Sequence, residues 1–398
     1  MRFTHALALW SMVPLVLACG SSESGGTPAG DAGVGGGGNG GSGGTSAGAN
    51  AIGKGDGSPG SVSFVVVYEP PAQRDATDLA FHPTRDELWV LMRELYAGEP
   101  CTQTDDSGCE ELEGSVVIVS GAGGPNPEYV RKEDPNSWHF MRRPTGIAFG
   151  ANDTFATIHE ARTGNFENLA SDYIGPTLWS SDPAIFTIQP PGKNGSHLDM
   201  LHSTPFGMGI AHEQGNVYWT FNGDIGALDR YDFKQPHEVG GDDHSDGELY
   251  RYVVGELKRL PEVPSHLEYD AATGILYVAD TGNQRVVKLD TNSGTPSGEE
   301  VQVPDPMATH VFMSSSPLVD VVAPGVLQAP SGLALHEGVL YVTDNATSKI
   351  HAFDLDGNSI RTLDTGFPLG SLAGFTIGPD GKAYIADLAT SRAYRIDT

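Results

Sequence analysis

A five-residue motif recurs six times along this chain, and it begins only after residue 60. The copies are Asp78-Leu-Ala-Phe-His82, Gly146-Ile-Ala-Phe-Gly150, Gly209-Ile-Ala-His-Glu213, His266-Leu-Glu-Tyr-Asp270, Gly332-Leu-Ala-Leu-His336 and Gly374-Phe-Thr-Ile-Gly378. A second apolar run follows each copy: Leu88–Met92, Phe155–His159, Val217–Phe221, Leu276–Asp280, Leu340–Asp344 and Ala383–Asp387. Each pair reads as two short strands joined by a tight turn. Repeats of about 40 residues or more built from short strands specify a propeller rather than a sandwich. Six copies predict an all-β chain of six blades, each of four antiparallel strands, with the innermost strands lining a central channel.

The fourth copy is the clearest. His266–Asp270 and Ile275–Ala279 are its first two strands, Arg285–Asp290 its third, with Ala272-Thr-Gly274 and Thr281-Gly-Asn283 as turns. Third strands are expected again at Ser115–Val119, Ala184–Ile188, Ala227–Phe233, Lys349–Phe353 and Arg392–Ile396, and fourth strands at Glu248–Val254, Ser359–Leu363 and Leu198–Leu201. The last blade has no residues after Thr398 for a fourth strand, whereas Ser63–Tyr68 is a β-rich run with no local partner. Residues 63–68 are therefore expected to pair in the last blade and close the ring, which removes an exposed sheet edge.

The segment Pro264 to Asp290, with Tyr277-Val-Ala-Asp-Thr-Gly-Asn-Gln-Arg285 at its centre, resembles an NHL repeat. Pro330 to Asp354 is similar, as are residues 372–397; blades 1 to 3 share only the strand pattern. The likeness covers about 90 residues and implies a six-bladed propeller of the NHL or TolB-like kind.

The first 61 residues are of a different nature. Residues 1–19 carry a basic Arg2, an apolar stretch from Ala6 to Leu17 and then Ala18-Cys19, the pattern of a secretory signal rather than a membrane span. Val16-Leu-Ala-Cys-Gly20 resembles the lipobox of bacterial lipoproteins, which implies that Cys19 is diacylated and that the protein is exported to the outer membrane, facing the periplasm or the surface. Residues 20–61 hold 18 of the 52 glycines and read as a disordered, flexible linker, leaving 62–398 as the propeller. Cys101 and Cys109 remain, eight apart in a polar loop. In an exported protein they are expected to form a disulfide; a metal site between them is the alternative, and a poor one without a nearby His.

A formal net charge of −28 argues against nucleic acid and against direct adsorption to anionic membrane surfaces. The membrane is thus reached through the lipid anchor alone, and a monomer is expected.

Loops leading into first strands and loops joining second to third strands share one face of the disc, the top, where propeller ligands usually bind. Two long insertions fall there: Glu94–Gly114, and Glu160–Pro183, whose Phe166, Tyr173 and Trp179 are expected ligand contacts. Around the channel mouth the repeat places Asp78, Glu94, His159, Glu160, Asn222, Asp224, His266, Asp280, Asp344 and Asp387. Two imidazoles among carboxylates suit zinc or calcium; alternatively the repeat aspartates brace their own turns. A second cluster, His237, Asp242, Asp243, His244, Asp246 and Glu248, lies in the loop joining the third and fourth strands of blade 3. Its spacing matches neither an EF-hand nor a zinc helix, so it reads as a solvated acidic loop or a calcium-braced one.

Two enzyme families share the scaffold. Amidating lyases hold zinc with three channel histidines, of which only His159 and His266 have counterparts here. Lactonase propellers hold calcium with Glu, Asn and Asp, to which Glu94, Asn222 and Asp280 correspond without a matching motif around them. No nucleophile elbow, HExxH or phosphate-binding loop is present. The expected function is a membrane-anchored, extracytoplasmic module binding protein, peptide or glycan on the top face. The alternative is a metal-dependent lyase or lactonase with its site at the channel mouth.

Overall fold

The computed structural model describes residues 47–72, 74–93, 113–165, 167 and 169–398. Cys19, Glu94, Cys101, Cys109 and Phe166 lie outside the described residues.

Six sheets form the blades. Blade 1 is Asp75–Phe81, Glu87–Arg93, Gly114–Ser120 and Glu128–Lys132; blade 2 is Pro144–Phe149, Thr154–His159, Thr177–Ser180 and His197–Met200. Blade 3 runs Gly207–Gln214, Val217–Asn222, Ala227–Asp232 and Glu248–Tyr252; blade 4 runs Leu267–Asp270, Ile275–Asp280, Arg285–Asp290 and Val319–Val322. Blade 5 is Pro330–His336, Val339–Asp344, Lys349–Phe353 and Ser359–Asp364. Blade 6 takes Leu372–Ile377, Ala383–Asp387 and Arg392–Asp397 from the end of the chain and Ser63–Tyr68 from near its start. Ser63 pairs with Asp397 and Phe64 with Ile396, antiparallel, so the ring closes as the repeat required.

The pentads are the innermost strands, and each lies beside the pentads of both neighbouring blades. The recurrent glycine follows from that crowding. A Cβ on Gly209 would stand 2.2 Å from Ser265 O, and one on Gly332 2.3 Å from Ala373 O. Second strands are sandwiched between adjacent blades and buried on both faces, which is why they read as unbroken apolar runs rather than alternating ones. Between blades 1 and 2, Trp89, Phe149, Phe155, Trp179 and Phe186 pack ring on ring, with Trp89 and Phe155 centroids 5.0 Å apart.

Three local expectations are corrected. The third strand of blade 2 is Thr177–Ser180, not 184–188, because Trp179 belongs to this aromatic core and draws its strand inward; residues 183–187 form a turn. Residues 47–61, read as linker, pack on the propeller: Ala47–Ile52 is a 3₁₀ helix, and Ile52 is fully buried among Tyr341, Leu363 and Leu372. Lastly, the long connection within blade 4 holds a hairpin, Thr295–Glu300 and Thr309–Ser314, absent from the sequence reading. Its second strand pairs parallel to Glu248–Tyr252 and extends blade 3 to six strands.

Candidate functional site

At two of the six pentads the first residue is not glycine but Asp78 or His266. Blades 1 and 4 face each other across a six-membered ring, so these two side chains meet in the channel, His266 Nε2 to Asp78 Oδ1 at 3.6 Å. His266 Nε2–H donates to Thr145 O at 3.0 Å, and Asp78 Oδ2 accepts from Ile147 N–H at 2.9 Å. Burial pushes the Asp78 carboxyl above its ordinary range, against the opposing pull of His266 and two backbone N–H groups. Below them Glu268 faces the same lumen, a cavity of about 190 Å³ lined by all six pentads. Burial, assisted by Asp78, raises Glu268 to about 8 although it accepts from Leu335 N–H.

Above this strut the mouth is closed by a charged cap. Glu160, buried, accepts from Arg93 at 3.1 Å, Arg259 at 2.9 Å and the Glu262 N–H at 3.0 Å. Arg93 also pairs with Asp75 at 2.6 Å and Glu262 at 3.3 Å, and Arg143 pairs with Glu262 and, at 3.6 Å, with Glu160. Burial works against the Glu262 charge, but Arg93, Arg143 and Arg259 hold its carboxyl below the ordinary range. Three guanidiniums and three carboxylates from blades 1 and 2 and the loop leading into blade 4 thus cancel over the axis. Of this cap only Glu160 stood out in the sequence. The available signal was Arg93, a cation where three other blades end their second strand in Asp, in a chain with only 23 Lys and Arg.

The residues ending the other second strands are committed to their own loops. Asp280 accepts from Lys258 N–H (2.8 Å), Asn283 Nδ2 (2.9 Å) and Arg285 Nε (2.7 Å). Asp344 accepts from Gln328 and Ala329 N–H, and Asp387 from Ala389 N–H and the Thr390 hydroxyl. Asn222 accepts from Asp224 N–H and donates to Asp229. His159 is fully buried, and its Nδ1–H donates to Gly175 O at 3.2 Å. Its Nε2 then accepts from the Thr157 hydroxyl at 3.1 Å, which itself accepts from Trp179 Nε1–H at 3.0 Å. Burial pushes His159 down to about 3, so the ring is neutral with both nitrogens occupied. It is a core histidine and does not join His266 in the channel. Trp179, expected on the ligand loop, is likewise wholly buried.

Tyr173 does reach a cavity. A pocket of about 630 Å³ opens on the top face of blade 3, walled by Tyr173, Pro205, Ile225, Val254, Val303 and Phe312. Its volume and apolar walls are those of a ligand pocket. Its floor is Arg251, held by Asp229 at 2.6 and 2.8 Å and donating to Ser203 O at 2.5 Å. Thr204 and Asn222 complete the Asp229 shell at 2.6 and 2.9 Å, so the buried charges are paired and fully bonded. Asp224 and Glu300 stand at the rim, leaving the opening acidic. Val303 and Phe312 come from the blade 4 insertion, whose first strand is interrupted in sequence by Pro296 and Gly298. The same hairpin lines a second cavity of about 700 Å³ at the other end of blades 3 and 4, with Tyr250, Tyr252, Tyr269 and the Glu213–Arg230 pair.

The loop after the third strand of blade 3 does not form a ring of aspartates. Asp242 and Asp243 are exposed, Asp243 accepting from Ser245, and Asp246 accepts from Gln235 N–H. His237 and His244 turn instead toward Asp199 on the outer strand of blade 2.

No protein-family model matches the chain, and comparison with curated proteins finds no match. Solved structures share the architecture. An auxiliary nutrient binding protein from Bacteroides thetaiotaomicron VPI-5482 is similar at 10% identity, over 84% of this chain and 76% of that one, with a TM-score of 0.51. Another from Bacteroides ovatus ATCC 8483 is similar at 12% identity over the same shares, with a TM-score of 0.50. A streptogramin B lyase covers 84% of this chain and 97% of its own at 10% identity and a TM-score of 0.46. At such identities the likeness shows the fold. The chain is a six-bladed β-propeller, a scaffold that carries binding proteins and enzymes alike.

Proposed function

We propose that this protein is an extracytoplasmic binding module, lipid-anchored through Cys19, that captures an apolar, neutral or cationic segment of a peptide or protein in the top pocket of blade 3. The observation that carries the reading is the pocket itself. Apolar walls from five separate loops and the strand Thr309–Ser314 converge on a pre-paired Arg251–Asp229 floor, and the rim is acidic. The metal-dependent alternative draws less support, because the channel mouth is filled by the Arg93–Glu160–Arg143 cap and His159 has no free nitrogen. The test is a peptide library panned in parallel against the protein and a Val254→Arg variant. Val254 is 49% exposed, so the substitution blocks the pocket without disturbing the core. Recovery of the same peptides by both proteins would refute the assignment; enrichment of apolar, basic peptides by the unsubstituted protein alone supports it.

A further inference from the structure

We infer that Asp199, His237 and His244 form a binding site for a divalent first-row transition metal, zinc foremost, clamping the outer strand of blade 2 to the loop of blade 3. This goes beyond the binding reading and lies on different loops from the blade 3 pocket. One potential ligand atom from each of the three residues lies within 4.8 Å of the others.

Proximity alone would mean little, but the hydrogen bonding points the same way. Asp199 is fully buried. Its Oδ1 accepts from Met200 N–H at 2.7 Å and from His244 Nδ1 at 2.8 Å, while its Oδ2 is buried with no partner. A carboxylate oxygen taken out of water and left bare is costly, and such atoms are rare unless something binds them. His237 repeats the pattern. Its Nδ1–H donates to Glu238 O at 2.7 Å, which fixes the tautomer and leaves the Nε2 lone pair open; that atom too is buried and unpartnered. A backbone carbonyl on the far nitrogen is the arrangement that orients a metal-binding imidazole.

The donor set selects the ion. Two imidazole nitrogens and one carboxylate oxygen suit zinc and its neighbours, whereas calcium and magnesium demand a shell of oxygens. Three protein ligands leave a fourth position open. Asp242 and Asp243, exposed on the same loop, add negative potential around the site without entering it. Asp199 sits 38 residues before His237, in another blade, so the histidine–aspartate loop read from the sequence lacked its central ligand.

The experiment is calorimetric titration of the full chain, free of a His tag, with zinc sulfate and separately with calcium chloride, alongside thermal melts. One equivalent of zinc should bind, calcium should give no heat, and zinc at a hundredfold excess over Kd should raise Tm by about 3–5 °C. His237→Ala should weaken zinc at least about 100-fold and abolish the Tm rise, and Asp243→Asn should change neither. His237 is only partly buried, so its removal leaves the blade intact, whereas Asp199 is wholly buried and its replacement would disturb the blade as well as the site. Absence of zinc binding, or zinc binding unchanged in His237→Ala, would overturn the assignment.

Discussion

Replacing Glu268 with Gln should make the propeller more stable at neutral and alkaline pH. Glu268 lies on the innermost strand of blade 4 against the channel, where burial and Asp78 raise its carboxyl from 4.5 to about 8. Below pH 4.5 the group is protonated in folded and unfolded chains alike and has no effect on their balance. Above it the unfolded chain gives up the proton while the folded chain keeps it. Stability then falls by ~1.4 kcal/mol for each pH unit until the folded group ionises near 8. Carried across that window the loss would be roughly 5 kcal/mol. The side chain keeps partial access to the lumen, so solvent screening reduces it to about 2 kcal/mol. Gln preserves the shape and the acceptor for Leu335 N–H but cannot lose a proton. Urea or thermal melts of both proteins at pH 5, 6.5 and 8 should show the variant gaining on the parent by about 2 kcal/mol across the series, a few degrees in Tm. A difference that stays constant with pH, or turns against Gln as pH rises, would show that Glu268 is ionised in the folded protein and that the channel is well solvated.

His159 works in the opposite direction. Its neutral form is held down to about 3, so stability present above pH 6.5 should drain away as pH falls toward 3. The His159→Gln variant should lose about 1 kcal/mol per pH unit less than the parent in acid melts, and parallel curves would refute the neutral buried ring. If Cys19 carries the anchor, Cys19→Ser should move the protein from the membrane to the soluble fraction on cell fractionation, and retention of the variant in the membrane would exclude lipidation as its tether.

The sequence was most informative where physics repeats. Six pentads crowded around one axis each meet the same backbone contact, so glycine recurs at Gly146, Gly209, Gly332 and Gly374 and the blade count can be read directly. Strand 63–68 was legible for a related reason, since a blade short of one strand and a strand short of a partner admit one solution. Legibility failed where the partners are distant in the chain. Nothing near Thr177-Leu-Trp-Ser180 shows that Trp179 will pack between Phe155 and Phe186 rather than on a rim. Ile52 sits in a stretch that looks like tether by composition, and its burial against blade 5 depends on residues some 300 positions away. The carboxylate between His237 and His244 lies in another blade. The top pocket needs the hairpin of blade 4, whose strands carry Pro296 and Gly298 and show no clean alternation.

Departures from the repeat, more than the repeat, locate what is particular to this propeller. Where glycine gives way to Asp78 and His266, the lumen acquires a strut across opposite blades. Where the turn aspartate gives way to Arg93, His159 and Asn222, the roles diverge: a cap over the axis, a core hydrogen-bond chain, and part of the Asp229 shell beneath the pocket. Asp78 and His266 in the lumen and Arg93 with its partners over the axis fill and neutralise the centre of the ring. A centre so filled cannot admit a large ligand without breaking paired, buried charges, and breaking one such pair costs about 3–5 kcal/mol. On the proposed reading, binding is thereby directed outward to blade 3, where the inserted hairpin adds wall area without disturbing the ring. A variant that opens the cap, such as Arg93→Ala, should expose unpaired Asp75 and Glu160 and destabilise the fold, yet leave peptide capture at Val254 and Phe312 unchanged wherever the protein remains folded.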